Sequence, residues 1–218
     1  IDIYVTYSGT IWSTVMKEKG LPPSSKALLS KVTDYVEKKH NLKVAARLGF
    51  ENKYAFAMTR KKASKLGIKT IDDLKKFAGD LKLGTDYVFL DRLEWKNIRG
   101  LYKIDFQKKI VMDPTLMYES VHDNQVDVIT AYTSDGRIKK YDLLILEDKK
   151  KAIPSYHTML LLSQRAVTKR PLLLKELKKL DQSITLEMMQ DLNFLVDEKG
   201  KSTKEAAKTF LSILKKRP

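Results

Sequence analysis

Four tyrosines stand in four different settings. Tyr7 lies in Tyr-Ser-Gly-Thr, Tyr54 in Asn-Lys-Tyr-Ala-Phe-Ala-Met, Tyr132 in Ala-Tyr-Thr-Ser-Asp-Gly-Arg, and Tyr156 in Pro-Ser-Tyr-His. Each falls beside a predicted strand end or turn, where a binding cleft gathers its side chains. Aromatic faces converging on one point make a box for a quaternary ammonium ion. Such an ion has no N–H to donate, so ring quadrupoles and shape must hold it. Spacing alone does not bring four rings together; the elements that carry them have to.

Those elements are legible as alternating strands and helices. Residues 1–7 are β-rich and alternating, and Gly9 ends the strand they predict. A helix is expected over 10–19, with Trp12, Val15 and Met16 on one side. Pro22 and Pro23 interrupt it, and Ser24 and Ser25 offer a cap for a second helix over 26–40. An extended segment follows at 43–50, a strand at 54–59 and a helical turn at 61–66. Thr70 caps a predicted helix over 71–78, where Ile71, Leu74 and Phe77 repeat at helical spacing. Strands are then expected at 87–90, 109–112, 126–131, 143–147 and 158–163. Helices are expected at 95–102, 116–123, 171–180, 185–196 and 203–214.

This alternation predicts an α/β protein with mostly parallel sheets. The middle of the chain holds a complete set of strands and helices. The expected division is therefore residues 1–48 and 151–218 in one lobe, and 49–150 in the other. Two crossings between lobes leave a cleft, and the four tyrosines fall near the crossings or strand ends.

Composition narrows the function classes. The 218 residues are 43% hydrophobic, enough for a packed core, and no apolar run is long enough to span a bilayer. No signal peptide is visible in the opening Ile-Asp-Ile-Tyr. The absence of cysteine excludes disulfides, thiolate metal sites and cysteine nucleophiles. The formal charge of +15 raises nucleic acid or an anionic membrane as partners. The basic residues are scattered in pairs, however, and no nucleic-acid-binding motif accompanies them, so a solvated surface is the stronger reading.

The enzyme case finds no residues. His40, His122 and His157 lack metal-ligand spacing, and there is no nucleophile elbow or glycine-rich phosphate loop. Asp135-Gly136-Arg137 reads as a turn next to Tyr132. Tyr35, Tyr102, Tyr118 and Tyr141 read as packing residues, and Trp12 and Trp95 as core. No cofactor is expected.

Several stretches closely resemble the substrate-binding proteins of glycine betaine/choline-type ABC importers, which have the type II periplasmic binding fold. They are Ile1-Asp2-Ile3-Tyr4, Tyr7-Ser8-Gly9-Thr10, Trp12-Ser13-Thr14 and Met112-Asp113 with Leu116 and Tyr118. Val126-Asp127-Val128 and Ala131 through Ile138 are the most specific, and Asp142-Leu143 with Leu146-Glu147-Asp148 continues them. The resemblance covers nearly the whole chain. It implies an extracytoplasmic protein at the face of the inner membrane, held there by its permease or an anchor. Glycine betaine, choline or carnitine would be captured between closing lobes and delivered to the ABC permease for osmoprotection.

By the same resemblance, Tyr7, Tyr54, Tyr132 and Tyr156 form the cage for the trimethylammonium group. Thr10 faces the ligand's polar end, where its hydroxyl can donate to a betaine carboxylate that an aspartate would repel. His157 stands where relatives have a small apolar residue, and is a candidate to contact that carboxylate. Tyr4-Val5-Thr6-Tyr7 departs from the usual Tyr-Pro-Glu-Tyr. The family's strand-helix-strand-helix stretch before Ile1 is missing, which implies a first lobe truncated at its N-terminus. A monomer is expected, and an incomplete sheet edge would allow a swapped dimer. The alternatives are a binding protein for another small cation or an amino acid, or the effector domain of a transcription regulator.

Overall fold

The structure, a computed structural model, describes residues 1–22 and 24–215. Pro23 and the end of the basic tract at 215–217 lie outside the described residues. In chain order the first elements are β1 (Ile3–Tyr7), α1 (Ser8–Thr10, running on as a π-type turn over Ile11–Val15), α2 (Ser25–Asp34) and β2 (Leu42–Glu51). The middle holds β3 (Tyr54–Thr59), α3 (Arg60–Leu66), α4 (Ile71–Leu74), β4 (Lys82–Thr85), α5 (Leu93–Tyr102), β5 (Lys108–Val111) and α6 (Pro114–His122). Then come β6 (Val128–Tyr132), α7 (Arg137–Lys140), β7 (Leu143–Ile145) and β8 (His157–Ser163). The chain closes with α8 (Gln164–Lys169), α9 (Pro171–Lys178), α10 (Leu186–Asp197) and α11 (Thr203–Lys215).

The chain divides into two compact units, each with its own sheet. The first comprises Ile1–Asn52, Pro154–Val196 and the chain from Gly200 onward; the second comprises Lys53–Ile153 with Asp197–Lys199. In the first, β8 lies between β1 and β2 and runs antiparallel to both. Its central position explains its sequence. Met159 and Leu161 face the core built on Trp12, Leu28 and Val32, while Leu160 and Leu162 face the core built on Leu48, Phe50 and Phe210. A strand buried on both faces has no polar alternation to offer.

The second unit has a five-stranded sheet in the order β5-β4-β6-β3-β7. β4 is parallel to β5 and β6, whereas β3 is antiparallel to β6 and β7. The two sheets are therefore mixed and antiparallel, not mostly parallel. The first strand of this unit enters beside the last ones instead of through a right-handed crossover. On β3 the large residues Tyr54, Phe56 and Met58 point into the core around Phe89, Trp95 and Phe106. Ala57 points to the opposite core with Met117, Tyr118 and Ile129. This period of two orients Tyr54 with the bulky row.

Residues 87–90 are not a strand. Tyr87 and Val88 are exposed, Phe89 alone is buried, and a short 3-10 turn covers Phe89–Asp91. The strand lies earlier, at Lys82–Thr85. Gly84 suits it because a β-carbon there would sit 3.1 Å from Val126 and 3.3 Å from Ile129. The helix expected over 71–78 ends at Leu74. Its start is as read: Thr70 accepts from the Asp73 amide while Asp73 accepts from the Thr70 amide, a reciprocal cap. Ser24 caps α2 by accepting from the Ala27 amide. Trp12 and Trp95 are both core residues.

Candidate ligand-binding site

In the second unit the antiparallel register sets Tyr54 of β3 directly opposite Tyr132 of β6. Directly opposed residues project from the same face of a sheet, so 78 residues of sequence separation become one pair of neighbouring rings. The ring centroids are 4.7 Å apart and the planes are inclined at 36°. The backbone is fixed just beyond the pair. Thr133 N–H donates to the Lys53 carbonyl at 3.0 Å, and Lys53 N–H donates to the Thr133 hydroxyl at 3.2 Å.

The two phenols end on a carboxylate. Tyr54 O–H donates to Asp86 Oδ2 at 2.6 Å. Tyr132 O–H is shared between Tyr54 Oη at 2.8 Å and the same Oδ2 at 3.2 Å. The other oxygen, Oδ1, accepts from the amides of Val88 and Phe89 at 3.0 and 2.8 Å. Asp86 is 4% exposed. Burial, and then the hydrogen bonds to Asp86 and Tyr132, push the Tyr54 phenol far above its ordinary value. Burial also raises that of Tyr132. Both hydroxyls therefore remain protonated donors.

Arg92 stands beside the Tyr54 ring. Its guanidinium carbon stands 5.2 Å from the Tyr54 ring centroid. Two hydrogen bonds, at 3.1 and 2.8 Å, tie it to the buried carboxylate of Glu94. Below the pair, the buried Tyr118 hydroxyl accepts from the Tyr132 amide at 3.3 Å. Arg137 lies 4.2 Å from the Tyr118 ring and is held by Asp135 through 3.0 and 2.7 Å bonds. The Asp135-Gly136-Arg137 turn thus braces β6 at its end, as a turn and not as a catalytic motif.

In the first unit β1 ends at Tyr7, which pairs with Thr158 of β8. The next residues turn back over the start of β8. The Ser8 hydroxyl donates to the Ser155 carbonyl at 3.1 Å and accepts from the His157 amide at 3.0 Å. Asn52 N–H donates to the Tyr156 carbonyl at 3.1 Å, and its side-chain amide makes a long 3.5 Å contact with the Tyr7 hydroxyl. Tyr156 is buried against Gly9. Thr10 closes the turn after β1 and is partly exposed. His157 is engaged: its Nε2 is 2.5 Å from the Ser25 hydroxyl and 3.4 Å from Glu51 Oε1.

The first unit therefore gathers Tyr7, Thr10, Tyr156 and His157, and the second gathers Tyr54 and Tyr132. Asp86, Arg92, Asn52 and Ser8 escaped the sequence reading. The signal for Asp86 was an acid directly after a strand. A strand expected over 87–90 puts Asp86 in a loop and hides that signal. Among the described residues, no group of histidines and acids could hold a metal ion. Nor is any helix long and apolar enough to cross a membrane.

A family model described as the substrate-binding domain of the ABC-type glycine betaine transport system matches residues 1–212. The chain is 33% identical over 214 residues to the ergothioneine transport permease/ergothioneine binding protein EgtU of Helicobacter pylori strain G27. That match takes in 98% of this chain but only 38% of the relative. It is 32% identical to the carnitine transport binding protein OpuCC of Listeria monocytogenes, across 97% of this chain and 69% of that protein. The crystal structure of a glycine betaine/carnitine/choline ABC transporter superposes with a TM-score of 0.88 at 31% identity, covering 97% of this chain and 78% of the other.

Proposed function

The chain belongs to the family of substrate-binding domains of ABC-type glycine betaine transport systems, with the fold of type II periplasmic binding proteins, and on that premise we propose that it captures a trimethylammonium solute and delivers it to an ABC permease. The family is one of transport domains and not of enzymes. The observation that carries the ligand class is the Tyr54–Tyr132 pair, set side by side by the sheet register and backed by Asp86. Neighbouring rings offer a cation their negative faces without any hydrogen bond it would have to satisfy.

Tyr7 and Tyr156 in the first unit, with Tyr54 and Tyr132 in the second, are the rings proposed to meet the ammonium group. A desolvated cation–π contact contributes on the order of 2 kcal/mol. A few such contacts with good shape fit reach the roughly 8 kcal/mol of micromolar binding. Thr10 is proposed at the ligand's polar end. His157, held between Ser25 and Glu51, is proposed as a polar neighbour of Tyr156 and not as a cage wall.

Relatives are named for ergothioneine, carnitine and glycine betaine. All three molecules carry a trimethylammonium group and a carboxylate, so a betaine is the favoured ligand, with choline as the variant lacking the acid. Uptake of such a solute serves osmoprotection, and capture takes place on the extracytoplasmic face. Calorimetric titration with glycine betaine, carnitine, choline and an unmethylated amino acid tests the reading. Micromolar binding of a trimethylated ligand supports it. Preference for the plain amino acid overturns it.

A further inference from the structure

Resting on the trimethylammonium reading above, we propose that Asp86 makes the site selective for charge: it is the fixed counter-charge, acting through the tyrosine hydroxyls, that makes the Tyr54–Tyr132 pair demand a cation and not merely a bulky trimethyl group. Two rings alone would give only part of this. A tert-butyl group has the shape of a trimethylammonium group and also packs well against aromatic faces. Discrimination between them has to come from electrostatics.

The geometry supplies it. Oδ2 of Asp86 accepts from both phenols, at 2.6 and 3.2 Å. A phenol that donates to a carboxylate shifts electron density toward its ring and deepens the negative face that a cation meets. Burial amplifies this, because Asp86 is 4% exposed and the field of a charge extends further where water does not screen it. The neighbouring cation, Arg92, is bonded twice to Glu94 and not to Asp86. Asp86 has two backbone amides and two phenols as donors but no ion-pair partner among the described residues. A buried carboxylate without a counter-ion is costly, and an arriving cation relieves that cost. A neutral isostere does not.

Asp86 is a positioning residue in this account, since it reaches the ligand through Tyr54 and Tyr132. A purely structural role would make it a prop that fixes ring rotamers, and loss of a prop would weaken every ligand alike. The test therefore compares choline with its neutral carbon isostere, 3,3-dimethylbutan-1-ol, by calorimetric titration of the whole chain, wild type and Asp86→Asn. The wild type is expected to favour choline. In Asp86→Asn, choline affinity is expected to fall at least about tenfold while the isostere changes less than about threefold, collapsing the ratio.

Where the asparagine variant does not fold, Tyr54→Phe replaces it. That change keeps the ring and the two amide bonds to Oδ1, and it is expected to lower the choline-to-isostere ratio by about threefold. An equal loss for both ligands would show that Asp86 only holds the rings, and would overturn the proposal, as would an unchanged ratio in both variants. Failure of the wild type to bind choline or glycine betaine at all would instead remove the ligand reading on which the proposal stands.

Discussion

The ring of Tyr156 lies across the backbone of Gly9 so closely that a β-carbon on Gly9 would fall 2.8 Å from three ring atoms. Gly9 has no left-handed backbone to account for its glycine. The reason is the tyrosine. The register explains the meeting: β1 and β8 are antiparallel with Tyr7 opposite Thr158, so the residues just after β1 pass over those just before β8. The Gly in Tyr-Ser-Gly-Thr and the Tyr in Pro-Ser-Tyr-His, some 150 residues apart, are thus one packing unit.

Gly9→Ala is expected to displace the Tyr156 ring, destabilise the protein by about 1–3 kcal/mol as overpacking does, and weaken binding of glycine betaine or choline. Thermal denaturation and titration calorimetry read the two effects. In a Tyr156→Ala background the same substitution is expected to be neutral or slightly stabilising, because alanine restricts the unfolded chain and nothing remains to clash. A penalty that persists in that background would place the conflict elsewhere.

Tyr132→Ala is expected to lower affinity at least tenfold, about 1.4 kcal/mol, by removing one ring of the opposed pair. Tyr132→Phe is expected to cost much less. The ring stays, and Tyr54 keeps its shorter 2.6 Å bond to Asp86. Wild-type binding by the alanine variant would remove Tyr132 from the site.

How far these relationships could be read in advance depends on how local their causes are. The Thr70 and Ser24 caps, the buried strand expected at 158–163 and the apolar strand at 54–59 are written in neighbouring residues, and the structure has them, the first strand beginning one residue earlier, at His157. The strand direction was not legible, because parallel and antiparallel neighbours bury the same apolar faces. The strand at Lys82–Thr85 was missed for the opposite reason. Its Lys-Leu-Gly-Thr has low β-propensity, and only the approach of Val126 and Ile129 to Gly84 shows why it pairs there. The Tyr-Val-Phe-Leu run that follows looks like a strand, but Asp86 caps its amides and turns it into a bend. Tyr118, read as packing, is buried as expected, yet it also holds the Tyr132 amide. Tyrosine pairing followed from register, which no single segment encodes.

An alkaline titration followed by phenolate absorbance is expected to show at least four of the 10 tyrosines resisting ionisation above pH ~10, where free tyrosine titrates. Burial raises Tyr54, Tyr102, Tyr118 and Tyr132, with Asp86, Asp148 and Asp135 adding to the rise at their respective partners. The unfolded chain loses these protons first. The stabilising contribution is therefore complete below about pH 10 and declines as the pH climbs toward the folded values. Ligand binding should persist up to that decline. Titration of all ten tyrosines as one class near pH ~10, with the fold intact, would contradict the hydroxyl network around Asp86.

Thr10→Asp is expected to shift preference from glycine betaine toward choline. Thr10 ends the short turn that Tyr7 opens, three residues on, and its side chain is partly exposed. A ligand whose ammonium group meets Tyr7 can therefore present its other end to residue 10. A threonine hydroxyl donates to a carboxylate there, whereas an aspartate repels it; two like charges about 4 Å apart at an effective dielectric of 20 oppose each other by roughly 4 kcal/mol before salt screening. Choline presents a hydroxyl at the same end and escapes that repulsion. The betaine-to-choline affinity ratio, measured by calorimetry at low and high salt, should fall in the variant and partly recover with salt. An unchanged ratio at both salt concentrations would show that residue 10 does not face the polar end. His157, whose Nε2 already stands between Ser25 and Glu51, would then be the next residue to vary.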